Sequence, residues 1–383
     1  MHKILVVSRV NTHPTTAANQ WWIMANCEAL QQLGCEVHFL YVYVKPLLKA
    51  GDERKIEECR KYWRDKFHLY RVSRFEKLII NMKNYWHKFF MNYYVKCDDW
   101  YPMYLHHYVN KLNNEFHFSV CIVQYFYLTK LFEKMDIPKK ALVSHDNFAY
   151  KDIVTGQRSD ICIDANESAK AMQRSPYIFA FNTEEEIFFR QLSPKSKVYT
   201  IYSIFDYHPQ PVVGNHDIVF LSGSNIYNQN GFNWFLDNIF PTITKRFPEC
   251  RLILGGAICE KFRHLSGNEK IKLCGFVDDI GSFYSQADVC INPTYQGTGF
   301  KTKTFEAISY DKIEFAHPHS AIGIYKQDMA PIFFSDKADE WVKELEIIWS
   351  DNLIIKEKKK MNQEYILSFR NYVMNIYKEF LND

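Results

Sequence analysis

No two of the ten cysteines are spaced Cys-x-x-Cys, and no Cys/His cluster stands at zinc-ligand spacing. That excludes a zinc module and a disulfide framework; single scattered cysteines read as small buried apolar residues in a reducing compartment. An Asp-x-Asp metal motif is also missing, as are internal repeats and low-complexity segments. No apolar run is long enough to span a bilayer. Met1-His2-Lys3 leads directly into Ile4-Leu5-Val6-Val7, too short for the core of a signal peptide, so a cytoplasmic protein is expected. A net charge of only +3 over 383 residues gives no global reason for a nucleic-acid partner. With 47% apolar and 24% charged residues, the chain has the composition of a soluble globular protein and enough length for two domains.

Its hydrophobic pattern is that of alternating strands and helices. Lys3 to Ser8 and Val37 to Val44 are continuous apolar runs suited to strands buried on both faces. Between them Trp21, Trp22, Ala25, Ala29, Leu30 and Leu33 recur at helical spacing, and Gly34 supplies a C-terminal stop. Val120 to Gln124, Ala141 to Ser144, Tyr177 to Phe181 and Val198 to Tyr202 continue the series. Pro209, Pro211 and Gly214 mark a linker. Beyond it Ile218 to Leu221, Arg251 to Leu254, Ile271 to Cys274, Val289 to Asn292 and Ile313 to Phe315 form a second set of strands. The pattern predicts two doubly wound parallel sheets, in an N-terminal domain over residues 1–208 and a C-terminal one over 209–362. A helix over 363–383 is expected to return to the first domain.

Residues 45 to 96 differ in character, with fourteen Lys/Arg against six Asp/Glu and frequent aromatics. Phe75, Leu78, Ile79, Met82, Trp86, Phe89, Phe90 and Tyr93 fall on one helical stripe, with Lys77, Asn84 and Lys88 opposite. The plain expectation is a helix that packs this stripe on the first sheet and solvates its charged face. The alternative is a docking face for an anionic membrane or a lipid-linked acceptor, spanning residues 75–93.

In open α/β sheets ligands bind beyond the carboxyl ends of strands, where helix-start N–H groups favour anions. The segment after Val289 to Asn292 fits that use. Gly297 and Gly299 let the backbone turn tightly and approach a ligand, as a phosphate cradle requires. Lys301 and Lys303 follow at a helix start, where the helix dipole disfavours cations unless an anion offsets them. Glu306, further along, is placed to accept hydrogen bonds from paired hydroxyls such as those of a ribose. A glycine loop with two solvated lysines is the plainer alternative.

Pro293, Gly297-Thr298-Gly299, Lys301-Thr302-Lys303 and Glu306-Ala307 together resemble the final motif of retaining glycosyltransferases of the GT-B fold, family 4, also called glycosyl transferases group 1. Three other stretches agree in order: Ile218 to Gly223 followed by Asn230-Gly231 and Trp234-Phe235; Arg251 to Gly256; and Gly275-Phe276-Val277-Asp278-Asp279. The resemblance spans about half of the chain. It implies two Rossmann-like domains facing across a cleft, with the donor held mostly by the second. By position it implies that Glu306 binds the ribose, that Thr298 and Gly299 with Lys301 bind the diphosphate, and that Phe276 and Val277 bind the base, with Gly297 and Lys303 in the same donor site. Gly223 and Ser224 would line the donor site from the domain's first loop. Thr298 stands where the commoner pattern has a glutamate, and Ser224, Asn225 and Asn230 occupy the stretch that usually supplies an Arg and a Lys, so Lys301 takes over that charge.

The first domain departs further, with Thr15-Thr16-Ala17-Ala18-Asn19 where a glycine-rich loop is usual. Ser144-His145-Asp146-Asn147 is similar to the family's histidine–aspartate segment, which makes His145 and Asp146 candidate catalytic residues beside Lys301; capping of the next turn is the plainer role. His13, His317 and His319 read as structural. The function implied is metal-independent, retaining transfer of a sugar from a UDP- or GDP-sugar co-substrate to a glycan or lipid-linked acceptor in surface polysaccharide or glycoconjugate synthesis. No other cofactor and no nucleic-acid partner are expected. A nucleotide-sugar epimerase on the same fold and a catalytically idle nucleotide- or glycan-binding subunit stay open as alternatives.

Overall fold

The structure is a computed structural model and describes all residues except 16, 45–49, 91–94, 150, 152, 154–160 and 298–299. Thr298, Gly299, Tyr93 and Thr16 of the sequence reading therefore lie outside the described residues. The chain divides into two compact units, one of residues 1–204 with 373–383 and the other of residues 205–372.

Unit 1 contains strands β1 (Lys3–Ser8), β2 (Glu36–Tyr43), β3 (Phe67–Arg71), β4 (Val120–Gln124), β5 (Lys139–Val143), β6 (Tyr177–Ala180) and β7 (Lys197–Thr200). They form one parallel sheet in the order β3-β2-β1-β4-β5-β6-β7. Its helices are α1 (Ala18–Gln32), α2 (Ala50–Trp63), α3 (Arg74–Phe90), α4 (Leu105–Phe116), α5 (Ala165–Gln173) and α6 (Thr183–Leu192). Leu5, Val7, Leu40, Val42, Cys121, Val123 and Leu142 point from the central strands into one core with Leu105, Val109 and Leu131. Both faces of the central strands are buried, which is why they read as unbroken apolar runs.

Unit 2 begins with an extended stretch through the prolines and then builds β8 (Ile218–Leu221), α7 (Ile226–Asn238), α8 (Phe240–Arg246), β9 (Leu252–Gly255), β10 (Ile271–Gly275), α9 (Ile280–Tyr284), β11 (Val289–Asn292), α10 (Thr302–Ser309), β12 (Ile313–Ala316), β13 (Ile332–Phe334) and α11 (Ala338–Ser350). Its six parallel strands run β10-β9-β8-β11-β12-β13. Phe220, Phe232, Phe235, Leu254, Phe315 and Trp341 fill the core on one face, and Val219, Ile253, Phe283, Tyr284 and Ala307 the other. The last helix, α12 (Asn352–Asn382), belongs to unit 2 as far as Tyr372 and to unit 1 from Val373. There Tyr377 and Phe380 pack on Phe179, and Phe380 also packs on Tyr177.

Strand order reverses between β1 and β4 in the first sheet and between β8 and β11 in the second. In doubly wound sheets ligands bind at such switch points, beyond the strands' carboxyl ends. All ten cysteines are free, and nine are buried. Among the described residues no helix is long and apolar enough to cross a membrane.

Helix α3 corrects the plain expectation for the aromatic stripe. Its buried side chains are Glu76 and Ile80, while Phe75, Leu78, Met82, Tyr85, Trp86, Phe89 and Phe90 are exposed, Phe89 by 83%. The polar side anchors the helix: Glu76 accepts from the Ser73 N–H, the Ser73 and Tyr70 hydroxyls and the Tyr104 N–H, and the His87 Nδ1 lies 2.7 Å from an Asp99 carboxylate oxygen. Periodicity fixes that a helix has an apolar stripe; it does not fix which side faces the protein.

Candidate functional site

At the switch point of the second sheet, the loops after β8 and β11 meet. Gly231, near the start of α7, permits this approach: a Cβ there would stand 2.8 Å from the Pro293 carbonyl oxygen and from the Thr294 Cα. The Asn230 amide donates to Gln296 Oε1 at 3.2 Å, so α7 also holds the second loop through a side chain. Gly297 has φ +101°, a region that favours glycine. His319 Nε2 lies 2.9 Å from the Gly297 carbonyl oxygen, giving that histidine a structural task.

Lys301 precedes α10, and Lys303 and Glu306 lie on it. Lys303 donates from Nζ to Asn228 Oδ1 at 2.8 Å, and the Asn228 amide donates to the Gly223 carbonyl at 3.0 Å. The two candidate loops are thus joined by a chain of two hydrogen bonds. Ser224 follows in the same loop, its carbonyl accepting from the Gln229 amide at 2.6 Å. Burial pushes the Lys303 ammonium down to about 8, and the Lys301 charge adds to this against the opposing pull of Glu306 and Glu314. Glu306 accepts from the Tyr284 hydroxyl at 3.0 Å, and burial raises its pKa. Glu314, fully buried on β12, is pushed up to about 8 by burial. Cations and a carboxylate therefore sit in a weakly solvated site at a helix start, where an anionic ligand is stabilised.

Beyond β10, Phe276 stands 79% exposed and Val277 packs partly into the core beside Phe283 and Tyr284. An aromatic ring in solvent at a strand's carboxyl end is suited to stacking on a planar base.

In unit 1, His145 and Asp146 follow β5. His145 is buried with φ +65°, its ring stacked 4.0 Å from that of Tyr125, which itself has φ +71°. Its Nε2 lies 2.6 Å from Gln124 Oε1, and burial pushes the imidazole down to about 3. The ring is neutral at ordinary pH: it can exchange hydrogen bonds but carries no charge. Tyr125 in turn accepts from the Asn19 amide at 3.2 Å. Two stacked non-glycine residues with positive φ, one beyond β4 and one beyond β5, mark strained strand ends of the kind found at functional sites. Asp146 pairs with Lys151.

Asn228, Tyr284 and His319 were not singled out for the donor site from sequence, nor Gln124 and Tyr125 for the His145 site. Each acts from a different element than the motif residue it supports, and only the fold brings them together.

Residues 215–351 match the family of glycosyl transferases group 1. No curated protein matches by sequence. Among solved structures the chain is similar to sucrose-phosphate synthase from Thermosynechococcus elongatus, 12% identical, with TM-score 0.65 and 100% of each chain covered. It is similar also to Anabaena HepE in complex with UDP and glucose, 11% identical, with TM-score 0.61, covering 99% of this chain and 100% of that one. A third is a mutant of S. aureus TarM in complex with fondaparinux, alpha-GlcNAc-glycerol and UDP, 9% identical, with TM-score 0.67 and 100% of each chain covered. Identities this low show the fold alone, and the fold is GT-B.

Proposed function

We propose that the protein transfers a sugar from a nucleoside-diphosphate sugar to a glycan or lipid-linked acceptor, with retention and without a metal ion, in polysaccharide or glycoconjugate synthesis. One observation carries this reading: Lys303 on α10 is joined through Asn228 to the Gly223 loop at the switch point of the second sheet, with Glu306 on the same helix accepting from the Tyr284 hydroxyl. Lys301, Lys303 and the N–H groups at the start of α10 would neutralise the diphosphate, Glu306 would hold the ribose hydroxyls, and Phe276 with Val277 would cover the base. The bond between the anomeric carbon and the diphosphate oxygen breaks as the acceptor oxygen bonds to the same face of that carbon. The acceptor proton passes to the departing diphosphate, so no protein nucleophile is required. Lysine charge takes the place a divalent ion would fill. The neutral His145 ring and Asp146 would orient the acceptor.

The outward face of α3 points to work at the cytoplasmic surface of an anionic bilayer. Trp86, Tyr85, Phe89 and Phe90 suit the bilayer interface, Arg74, Lys83 and Lys88 suit its negative headgroups, and the helix's one acid, Glu76, is buried.

The direct test incubates the full chain with a panel of UDP- and GDP-sugars, with and without acceptor glycans, and measures free nucleotide and product. Acceptor-dependent nucleotide release with an α-linked product from an α-linked donor supports the reading. Sugar isomerisation without transfer would indicate an epimerase, and binding without turnover an idle subunit; either overturns it.

A further inference from the structure

A cavity of about 660 Å³ opens in unit 1 between the ends of α1 and α2, and neither the donor site nor the His145 site draws on it. Gln31 borders it one residue before the end of α1, from which the chain enters β2. Arg64, Asp65 and Lys66 border it from the turn that joins α2 to β3. The cavity thus lies towards the amino ends of the strands, whereas doubly wound sheets take nucleotides and substrates beyond the carboxyl ends. Its volume is within the roughly 300–1,000 Å³ of small-ligand sites.

The cavity has an aromatic floor that is rigid in advance. The His13 and Tyr62 rings stack at 4.1 Å with 21° between their planes, and Tyr62 is 42% exposed. His13 is fixed from beneath: its N–H donates to Cys59 Sγ at 3.4 Å, and its carbonyl accepts from the Cys59 thiol at 3.3 Å and the Asn11 amide at 2.9 Å. Its Nδ1 lies 3.1 Å from Thr12 Oγ1, which accepts from the Trp63 indole N–H at 2.8 Å. Thr12, Cys59 and Trp63 are buried, so the ring cannot swing away without breaking a closed network. On the rim Arg64 has φ +53°, a conformation that costs a residue with a side chain and that clusters at ligand sites.

The charge around this floor selects the ligand. Lys61, Arg64 and Lys66 stand against Glu58 and Asp65, and none of the five is in an ion pair among the described residues. An anion would meet two carboxylates and the carbonyl end of α2, and a cation would meet three cations. An uncharged polyhydroxyl ligand meets neither obstacle, because each hydroxyl accepts from a lysine or guanidinium and donates to a carboxylate. The C–H face of a sugar ring in turn covers an exposed aromatic ring. We infer that this cavity binds an uncharged oligosaccharide, away from the place of sugar transfer, with one sugar ring laid on Tyr62 and its hydroxyls shared among Glu58, Lys61 and Arg64. That the oligosaccharide is the enzyme's own glycan rests on the transferase reading; the site itself does not.

Calorimetric titration of the full chain with maltohexaose, cellohexaose and chitohexaose, and with the anionic hexasaccharide of hyaluronan, each with and without saturating UDP, tests this. A neutral hexasaccharide is expected to bind whether or not UDP is present, and the hyaluronan fragment not to. Tyr62→Ala should weaken that binding by about tenfold, with UDP affinity unchanged. Lys61→Met should weaken it in the same direction by a smaller factor. Unchanged oligosaccharide affinity in a folded Tyr62→Ala variant overturns the site, since the sugar is then held elsewhere. Failure of all three neutral hexasaccharides to bind at millimolar concentration overturns it too, as does binding of the hyaluronan fragment alone. Should Tyr62→Ala fail to fold, the exposed Lys61→Met decides. Oligosaccharide binding that depends on Tyr62 in a chain that binds no nucleotide would sink the transferase reading and leave this site standing.

Discussion

Replacing Lys303 by Met should make the empty protein more stable and the liganded one weaker. Met keeps the length of the side chain and removes its charge. In the parent, the ammonium is driven from its ordinary value of 10.5 to about 8 by burial and by Lys301. That drop corresponds to about 3 kcal/mol against the charged form at neutral pH. Loss of the bond to Asn228 costs about 1.5 kcal/mol in return. Glu314, already shifted up to about 8, takes a proton rather than remaining as an unpaired charge. The net is about 1.5 kcal/mol of stabilisation, a melting temperature a few degrees higher for a unit of this size. Because the parent sheds its own proton above about 8, the advantage shrinks as pH rises from there towards 10.5. Binding should change in the opposite direction. A charged hydrogen bond to the diphosphate contributes roughly 1.5–3 kcal/mol, so UDP or GDP should bind roughly 10- to 150-fold more weakly. Parent affinity should fall as pH is raised through about 8, where the lysine becomes neutral, and the variant's should not. Thermal unfolding without ligand and calorimetric titration across pH 6.5–9.5 measure both arms. A folded variant that binds as tightly as the parent refutes the phosphate cradle, and one that melts lower refutes the account of a desolvated charge.

Glu306→Gln should weaken nucleoside and nucleoside diphosphate by similar factors in calorimetric titration, since it is assigned to the ribose; a loss confined to the diphosphate would contradict that assignment. Gly231→Ala places a methyl 2.8 Å from the backbone of Pro293 and Thr294, which no rotamer change relieves, and should cost about 1–3 kcal/mol in chemical denaturation. Changing Trp86 and Phe89 together to Ser should reduce partitioning onto phosphatidylglycerol vesicles by at least about tenfold in a flotation assay while leaving the fold intact, because both rings are exposed. Turnover should persist in excess EDTA; activity abolished by the chelator and restored by manganese would reverse the assignment of leaving-group charge to lysine.

The central strands were legible in the sequence because they are buried on both faces: β4, β8 and β11 lie where the apolar runs place them. The two strands left unread, β3 and β13, are both at sheet edges. Phe67 to Arg71 alternates with charged and polar residues inside a basic stretch, and Ile332 to Phe334 is only three residues long, so neither carries a strong period. The adjacency of Lys301, Lys303 and Glu306 is readable because they follow one another across the start of one short helix. Asn228, Tyr284 and Gln124 were not, since a residue that supports another from a different element leaves no local signature. The orientation of α3 was illegible for a related reason: a stripe has the same period whether it faces a sheet or solvent.

The return of α12 to the first unit sets an order of assembly. Residues 1–204 leave the ribosome first, yet the pocket around Phe179 and Tyr177 is filled by Tyr377 and Phe380, and Lys139 donates from Nζ to the Phe380 carbonyl at 2.7 Å. Residues 205–372 are contiguous and can complete their core during synthesis. The first-made unit is therefore the last to close. A nascent or truncated chain ending before Val373 keeps that aromatic surface open, a target for chaperones or proteases until the terminal eleven residues arrive.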